Sequence, residues 1–467
     1  MIDDFLDNYK PKKKKNIFST SMLIIASFLV AILIGTLFLC LPISSADGEP
    51  TPFLEALFSS TSAVCVIGIT MFPTYIHWSL FGKVVILVLI QLGGLGIVAF
   101  TTFLLVLIGK TVTLKDRLLV MDAFNLDTLA GLMQFLKFIF QITFVIEAIG
   151  VVLLAFEFVP DYGVKTGLFY SLFHSVSSFC NCGIDILGDN SLEDYVRDPY
   201  MNFVTMFLSI AGGLGFVVWW DFVKVLRMYK KKEIKITEFF LKCTIHSKIV
   251  LVTSLILLLG GTFIIMWLEY DNAATIANES FGQKFMQCLF QSCTCRSVGF
   301  DTIPQQNFKD VTAYFCMLLM IIGGSPVGTA GGVKTTTVAV VFLEVLAAVK
   351  GKREATVFGR KLPAKTIKKA TMVLAVSVMV WVVSTILMGH FNGGNFLDLV
   401  YETTAAIGTA GLSRGYSSPE NLSVIGQWII IVLMYLGRIG PFSLAVAFKI
   451  NDEKSGVQYK EEDVTIG

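Results

Sequence analysis

The stretch "QSCTCRSVGFDT", Gln291–Thr302, decides the fold. It sets two cysteines, an arginine and a glycine directly after an apolar run, and that run is too brief to cross a bilayer, which takes about 20 helical residues. Three other stretches have the same form. "TSAVCVIGIT" closes the run that starts at Phe53, "FCNCGIDI" closes "LFYSLFHSVSS", and "AIGTAGLSRG" closes "FLDLVYETTA". Each is flanked by long apolar segments, near Met22–Leu41 and Leu80–Ile108, Phe135–Phe158 and Met201–Val225, Ile249–Leu268 and Val311–Val349, and Ala370–Met388 and Ile425–Ala447. The loop glycines are Gly68, Gly183, Gly299 and Gly411, at separations of 183−68=115, 299−183=116 and 411−299=112. Four near-equal intervals over the chain mark an internal repeat.

Composition agrees with a membrane reading: 54% of the 467 residues are apolar, 15% are charged and the mean hydropathy is +0.72. Such a chain is not a soluble globular domain. The basic run Lys12–Lys15 precedes an apolar segment longer than a signal-peptide core, which reads as a retained first transmembrane helix. The expected fold is an all-α polytopic membrane protein of four tandem helix–pore-loop–helix repeats around a pseudo-fourfold pore. Residues 17–115, 116–240, 241–352 and 353–449 are the repeats, the third with a broken last helix. Residues 1–16 and 450–467 are cytoplasmic ends.

A segment of about a dozen residues must enter and leave a bilayer from one side. Its backbone then turns round at membrane depth, which is tolerated only where it lines a water-filled cavity. Carbonyls freed from the helix can serve a permeating cation, and glycine lets them crowd a common axis. Basic residues concentrate in "KPKKKK", "GKTVTLKDR", "KVLRMYKKKEIK" and "KGKREATVFGRKLPAKTIKK", which join the repeats, so these loops and both termini are assigned to the cytoplasm. The glycine loops open outward under a rim of acids that includes Asp185, Asp189, Glu193 and Asp301.

These four loops, with "QLGGLGIVAF", "AGGLGFVV" and "YLGRIGPFSLAVAF", resemble the superfamily of Trk, Ktr and HKT potassium transporters, closest to the membrane subunits of Ktr uptake systems. The resemblance implies a degenerate K⁺ selectivity filter of backbone carbonyls, formed by Cys65, Val66, Ile67 and Gly68; Cys180, Asn181, Cys182 and Gly183; Ser297, Val298 and Gly299; and Gly408, Thr409, Ala410 and Gly411. Glycine at all four key positions resembles the potassium-selective pattern. The Thr-Val-Gly-Tyr-Gly strand of tetrameric K⁺ channels is absent, so selectivity should be poorer than theirs.

The cysteines depart from the family pattern. Cys65, Cys180, Cys182, Cys293 and Cys295 crowd the loops without zinc or disulfide spacing. They read either as small apolar packing residues or as thiols facing the pore. Arg296 is expected to tie its loop down at the outer rim.

The third repeat carries "GGSPVGTAGGVKTTT", Gly323–Thr337, inside an apolar run. Proline and glycines must break that helix. A packing kink is one reading. The resemblance implies instead an intramembrane gating loop of Gly323, Gly324, Ser325, Gly328, Thr329, Ala330, Gly331, Gly332 and Lys334. Arg438 in "YLGRIGP" is costly within a membrane helix and should face the pore or a polar partner. By resemblance it is a fixed positive charge below the filter. Glu402 is expected to anchor the fourth short helix by hydrogen bonds, Glu147 is a second candidate acid, and His174 reads as a packing residue.

"QLGGLG" lies in a transmembrane segment and is no dinucleotide fingerprint, so nothing points to an enzyme. The expected activity is K⁺ uptake across the plasma membrane, with Na⁺ dependence open. A less selective Na⁺/K⁺ transporter and an alternating-access carrier are the alternatives, the latter disfavoured because all four loops share one orientation. The resemblance implies a homodimer on a cytosolic octameric ring of KtrA-like nucleotide-binding subunits, docked through the basic loops or the tail "YKEEDVTIG". No cofactor is expected; K⁺ is cargo.

Overall fold

A computed structural model of the chain describes residues 20–108, 113–123, 131–188 and 190–440. The expected cytoplasmic ends 1–16 and 450–467, loop residues 109–112 with Lys110, Asp189 and the last helix beyond residue 440 lie outside the described residues.

The first helix of each repeat is continuous: Thr20–Leu39, Leu132–Tyr162, Ile245–Glu269 and Ala364–Phe391. Each is long and apolar enough to cross a bilayer. Their outer faces are hydrophobic. Leu29, Val30, Ile34, Leu37 and Phe38 of the first helix all project outward, an apolar stripe that suits lipid and not water.

The four short helices are Phe53–Cys65, Val164–Cys180, Phe281–Thr294 and Phe396–Gly408, of 13, 17, 14 and 13 residues. At about 1.5 Å per residue they fall short of the roughly 30 Å hydrocarbon core. We call them pore helices 1 to 4. Pore helix 3 starts on a Ser280 cap and pore helix 4 on an Asn395 cap, and each side chain satisfies a free N–H of the first turn.

The second helices correct the sequence reading, which took Leu80–Ile108 and Met201–Val225 as continuous. Leu80–Leu95 and Ile97–Leu107 meet at 95°, and Pro199–Gly213 and Phe216–Lys230 at 92°. The cause is local: Gly96 and Gly215 sit at the breaks with φ of +83° and +90°, values that Cβ-bearing residues resist. In repeat 3 the break is longer, from Asp310–Ile321 to Thr335–Val349. In repeat 4 the helix Val424–Ile439 ends on Gly440, again at positive φ.

Packing closes the repeats into a ring. The second helix of repeat 1 lies against pore helix 2, that of repeat 2 against pore helix 3, that of repeat 3 against pore helix 4, and that of repeat 4 against pore helix 1. Outside the helical body, Thr356–Val357 and Arg360–Lys361 form a small antiparallel hairpin in a basic connecting loop.

Candidate ion-conducting site

Pore helices 1, 2 and 4 end in the same way. The next residue, Val66, Asn181 or Thr409, is left-handed, with φ of 56°, 59° and 52°. The residue after it turns its N–H back into the helix: Ile67 to Ser62 O at 3.0 Å, Cys182 to Ser177 O at 2.9 Å and Ala410 to Ala405 O at 2.8 Å. This is a Schellman ending built without glycine at its left-handed position. Pore helix 3 stops earlier, yet Ser297 is also left-handed at φ 63° and Val298 N–H bonds Thr294 O at 3.1 Å. Two residues after Val66, Asn181, Ser297 and Thr409 come Gly68, Gly183, Gly299 and Gly411, with φ of 103°, 74°, 93° and 81°. Sequence reasoning missed this left-handed residue. Valine and threonine resist that conformation, and only Asn181 hinted at it.

The four glycines meet. A Cβ built on Gly68 would stand 2.2 Å from Cys182 O, one on Gly183 2.6 Å from Val298 O, one on Gly299 3.0 Å from Ala410 O, and one on Gly411 2.0 Å from Ile67 O. Each glycine therefore backs onto the carbonyl preceding the glycine of the next repeat, and the fourth closes on the first. Among the described residues, no N–H or O–H donates to these four oxygens. The negative ends of the pore-helix dipoles converge on the same point, which favours a cation.

All four glycines line one cavity of about 240 Å³. Asp185, Glu193 and Asp301 also line it, with no lysine or arginine. Asp185 and Asp301 lie in the loops that follow pore helices 2 and 3, and enclosure pushes their carboxyls up, to about 6 and about 7. For Asp301 the charges of Asp185 and Glu193 add to the effect.

Hydroxyls of the last pore-helix turn hold the strands from behind. Ser62 Oγ accepts from Gly68 N–H at 3.1 Å, Ser177 Oγ donates to Ile184 O at 2.6 Å, and Thr294 Oγ1 donates to Phe300 O. Repeat 4 has alanines there and uses Glu402, whose carboxylate accepts from Ser413 Oγ, Arg414 N–H and Ser417 Oγ. Ser297 Oγ ties strand 3 to strand 4, donating to Gly408 O at 2.9 Å and lying 3.0 Å from Thr409 Oγ1.

Arg296 is not at the rim. Its guanidinium turns back to the helix Ile245–Glu269, donating to Ser254 O and Oγ at 3.3 Å each, because Cys295 and Arg296 occupy an extra turn between pore helix 3 and the left-handed Ser297. Arg414 does the work expected of it, with Nε on Asp398 Oδ1 at 2.6 Å and Nη1 on Gln305 O at 2.8 Å. Cys65, Cys180, Cys182, Cys293 and Cys295 are free thiols with at most 5% of their surface exposed. Cys180 Sγ points back to Gln91 Oε1, which lies 3.8 Å away on a helix behind the strand. Gln91 also donates to Glu147. His174 is enclosed against Phe158 and Phe300, its Nε2 3.0 Å from Thr205 Oγ1.

Directly beneath the glycines lies the break of repeat 3. Gly323 N–H bonds Val333 O at 2.9 Å, Ser325 N–H bonds Gly213 O at 2.9 Å, and Lys334 Nζ donates to Ala330 O at 2.7 Å. Gly331 and Gly332 let the segment run against Thr409 and Gly408, where a Cβ would stand within 2.4 Å and 2.7 Å of Thr409 Oγ1 and Gly408 O. Gly324 faces Ala330 and Gly328 faces the bend at Gly212–Gly215.

All four repeats meet at Thr329 and Arg438. Thr329 Oγ1 donates to Phe179 O at 2.9 Å and accepts from Asn181 Nδ2 at 2.7 Å. Its N–H reaches Gly212 O, and its carbonyl accepts from Arg438 Nη1. Arg438 Nη2 reaches Gly93 O in repeat 1. The arginine thus faces the interior instead of extending to an interface.

The cation transport protein family TrkH matches residues 6–458. The chain is 35% identical to the potassium/sodium uptake protein NtpJ of Enterococcus hirae, over 98% of this chain and 99% of that one. It is 35% identical to the Ktr system potassium uptake protein B of Bacillus subtilis (96% and 97% covered) and 33% identical to the Vibrio alginolyticus protein of that name (95% and 94%). The fold matches the crystal structure of the potassium transporter TrkH from Vibrio parahaemolyticus at a TM-score of 0.71 and 18% identity, covering 93% of this chain and 86% of that one.

Proposed function

The chain belongs to the TrkH family of cation transport proteins, and from that premise we propose that it takes up K⁺ through a channel-like pore in the plasma membrane. The observation that carries this reading is the ring in which Gly68, Gly183, Gly299 and Gly411 each back onto the carbonyl of the next repeat. In it, the carbonyls of Ile67, Cys182, Val298 and Ala410 replace part of the hydration shell of K⁺. The acidic cavity above collects cations.

The break of repeat 3 is the gate. It fills the space below the ring, and Arg438 adds a fixed positive charge to the path, a barrier to a cation until the loop moves. With both termini cytoplasmic, the outer cavity faces outward and K⁺ moves inward. We assign control of the loop to a cytosolic KtrA-like nucleotide-binding ring, with the membrane subunit a homodimer. Three relatives carry the Ktr system name, which supports a multicomponent assembly. One relative at 35% identity is named a potassium/sodium uptake protein, so Na⁺ is the competing cargo.

The test is cation flux into liposomes holding the purified chain, for K⁺, Rb⁺, Na⁺ and Li⁺, with wild type beside Gly299→Ser. The reading expects K⁺ and Rb⁺ preference in the wild type and a weaker one in the variant. Equal flux of all four ions through both proteins would overturn it.

A further inference from the structure

Asn181 occupies two places at once. Its backbone is part of strand 2 of the ring, left-handed at φ 59°. Its side-chain amide donates to Thr329 Oγ1, 148 residues away in the loop below, at 2.7 Å. Both residues are buried, Asn181 at 1% and Thr329 at 0% exposure, so neither bond is exchanged readily for one to water. Thr329 also donates to Phe179 O in the last turn of pore helix 2. Strand 2 and its pore helix are thus both fastened to the loop through one hydroxyl. Strands 3 and 4 meet it differently: Gly331 abuts Thr409, and Ser297 Oγ lies 3.1 Å from where a Gly323 Cβ would stand, which are contacts of shape and not hydrogen bonds.

We propose that Asn181 is the latch that holds the loop closed and that, because its own backbone forms strand 2, it makes gating and ion selectivity interdependent. The proposal deepens, and rests on, the assignment of ring and loop as filter and gate. Moving the loop must break the Asn181–Thr329 bond, and losing that bond removes the side-chain support of a left-handed filter residue. A loop that merely plugs the path would change flux and leave the ion preference alone. Asn181 acts through position, holding the strand whose Cys182 carbonyl faces the ring.

The test is a double-mutant cycle in liposomes without the cytosolic partner, reading K⁺ flux and the K⁺ to Na⁺ flux ratio together. Thr329→Val keeps the side-chain shape and removes both bonds. Asn181→Gly keeps the left-handed backbone accessible and removes the amide. Each single change should raise K⁺ flux about five- to tenfold, as expected for one or two lost buried hydrogen bonds, and shift the ion ratio in the same direction by about threefold. The double variant should go little further than the larger single one, and Thr329→Ser, which keeps the hydroxyl, should restore both readouts. Raised flux at an unchanged ratio, unchanged flux, or additive effects would overturn the proposal. If Gly299→Ser also leaves the ratio untouched, the underlying filter reading fails instead.

Discussion

Gly411 closes the ring on Ile67: a methyl group at Gly411 would stand 2.0 Å from the Ile67 carbonyl oxygen, joining the fourth repeat to the first. The clearance differs around the ring, with 2.2 Å at Gly68, 2.6 Å at Gly183 and 3.0 Å at Gly299. Alanine should therefore damage K⁺ preference most at Gly411 and Gly68 and least at Gly299. The first two should lose about tenfold or more, since backbone cannot yield as a side-chain tip can. Flux ratios of the four variants check the order.

The proposed gate is the loop below the ring. Shortening Gly324–Gly332 should raise K⁺ flux and make it less dependent on the cytosolic partner. Unchanged flux and unchanged regulation would sink the gate assignment.

Arg438 joins the loop to repeat 1 through Thr329 O and Gly93 O. Arg438→Gln should raise flux about tenfold without the partner, because a charge barrier and two charge-assisted bonds go together. Arg438→Lys should rescue poorly, since a point charge does not reproduce a planar fork spanning two carbonyls. The check is flux normalised to protein recovered in the membrane.

The raised carboxyls of Asp185 and Asp301 give the outer cavity a pH dependence. As external pH falls through about 7 and then about 6, Asp301 and then Asp185 bind protons and the cavity loses negative charge. The apparent KM for K⁺ should rise about threefold or more between pH 8 and pH 5, with little change in maximal rate. Asp301→Asn should remove the upper part of that transition. A KM that does not respond to pH would exclude this role for the acids.

The thiols should be silent. Bulky, membrane-impermeant thiol reagents applied outside should leave flux unchanged, since all five loop cysteines are enclosed. Block relieved by Cys182→Ala would instead put a thiol in the ion path.

Much of this was legible in the sequence because bilayer physics leaves few options. Four short apolar segments with evenly spaced glycines can do little but turn back, and the cluster at Gly323–Thr337 had to break its helix. The bends at Gly96 and Gly215 were visible as "GGLG" but were read as continuous, because apolar length outweighed two glycines. Arg414, and not Arg296, makes the tie expected of Arg296, because one extra turn after pore helix 3 sends the Arg296 side chain back to Ser254. The Asn181–Thr329 bond carried no sequence signal at all. It exists only once the repeats close into a ring.

The most direct test of the central claim, that the glycine ring selects the ion, is the ratio of Rb⁺ to Na⁺ flux through the purified chain, compared between wild type and Gly411→Ala. The account predicts a clear Rb⁺ preference in the wild type that collapses towards unity in the variant, with flux still measurable. The same ratio in both proteins would contradict it.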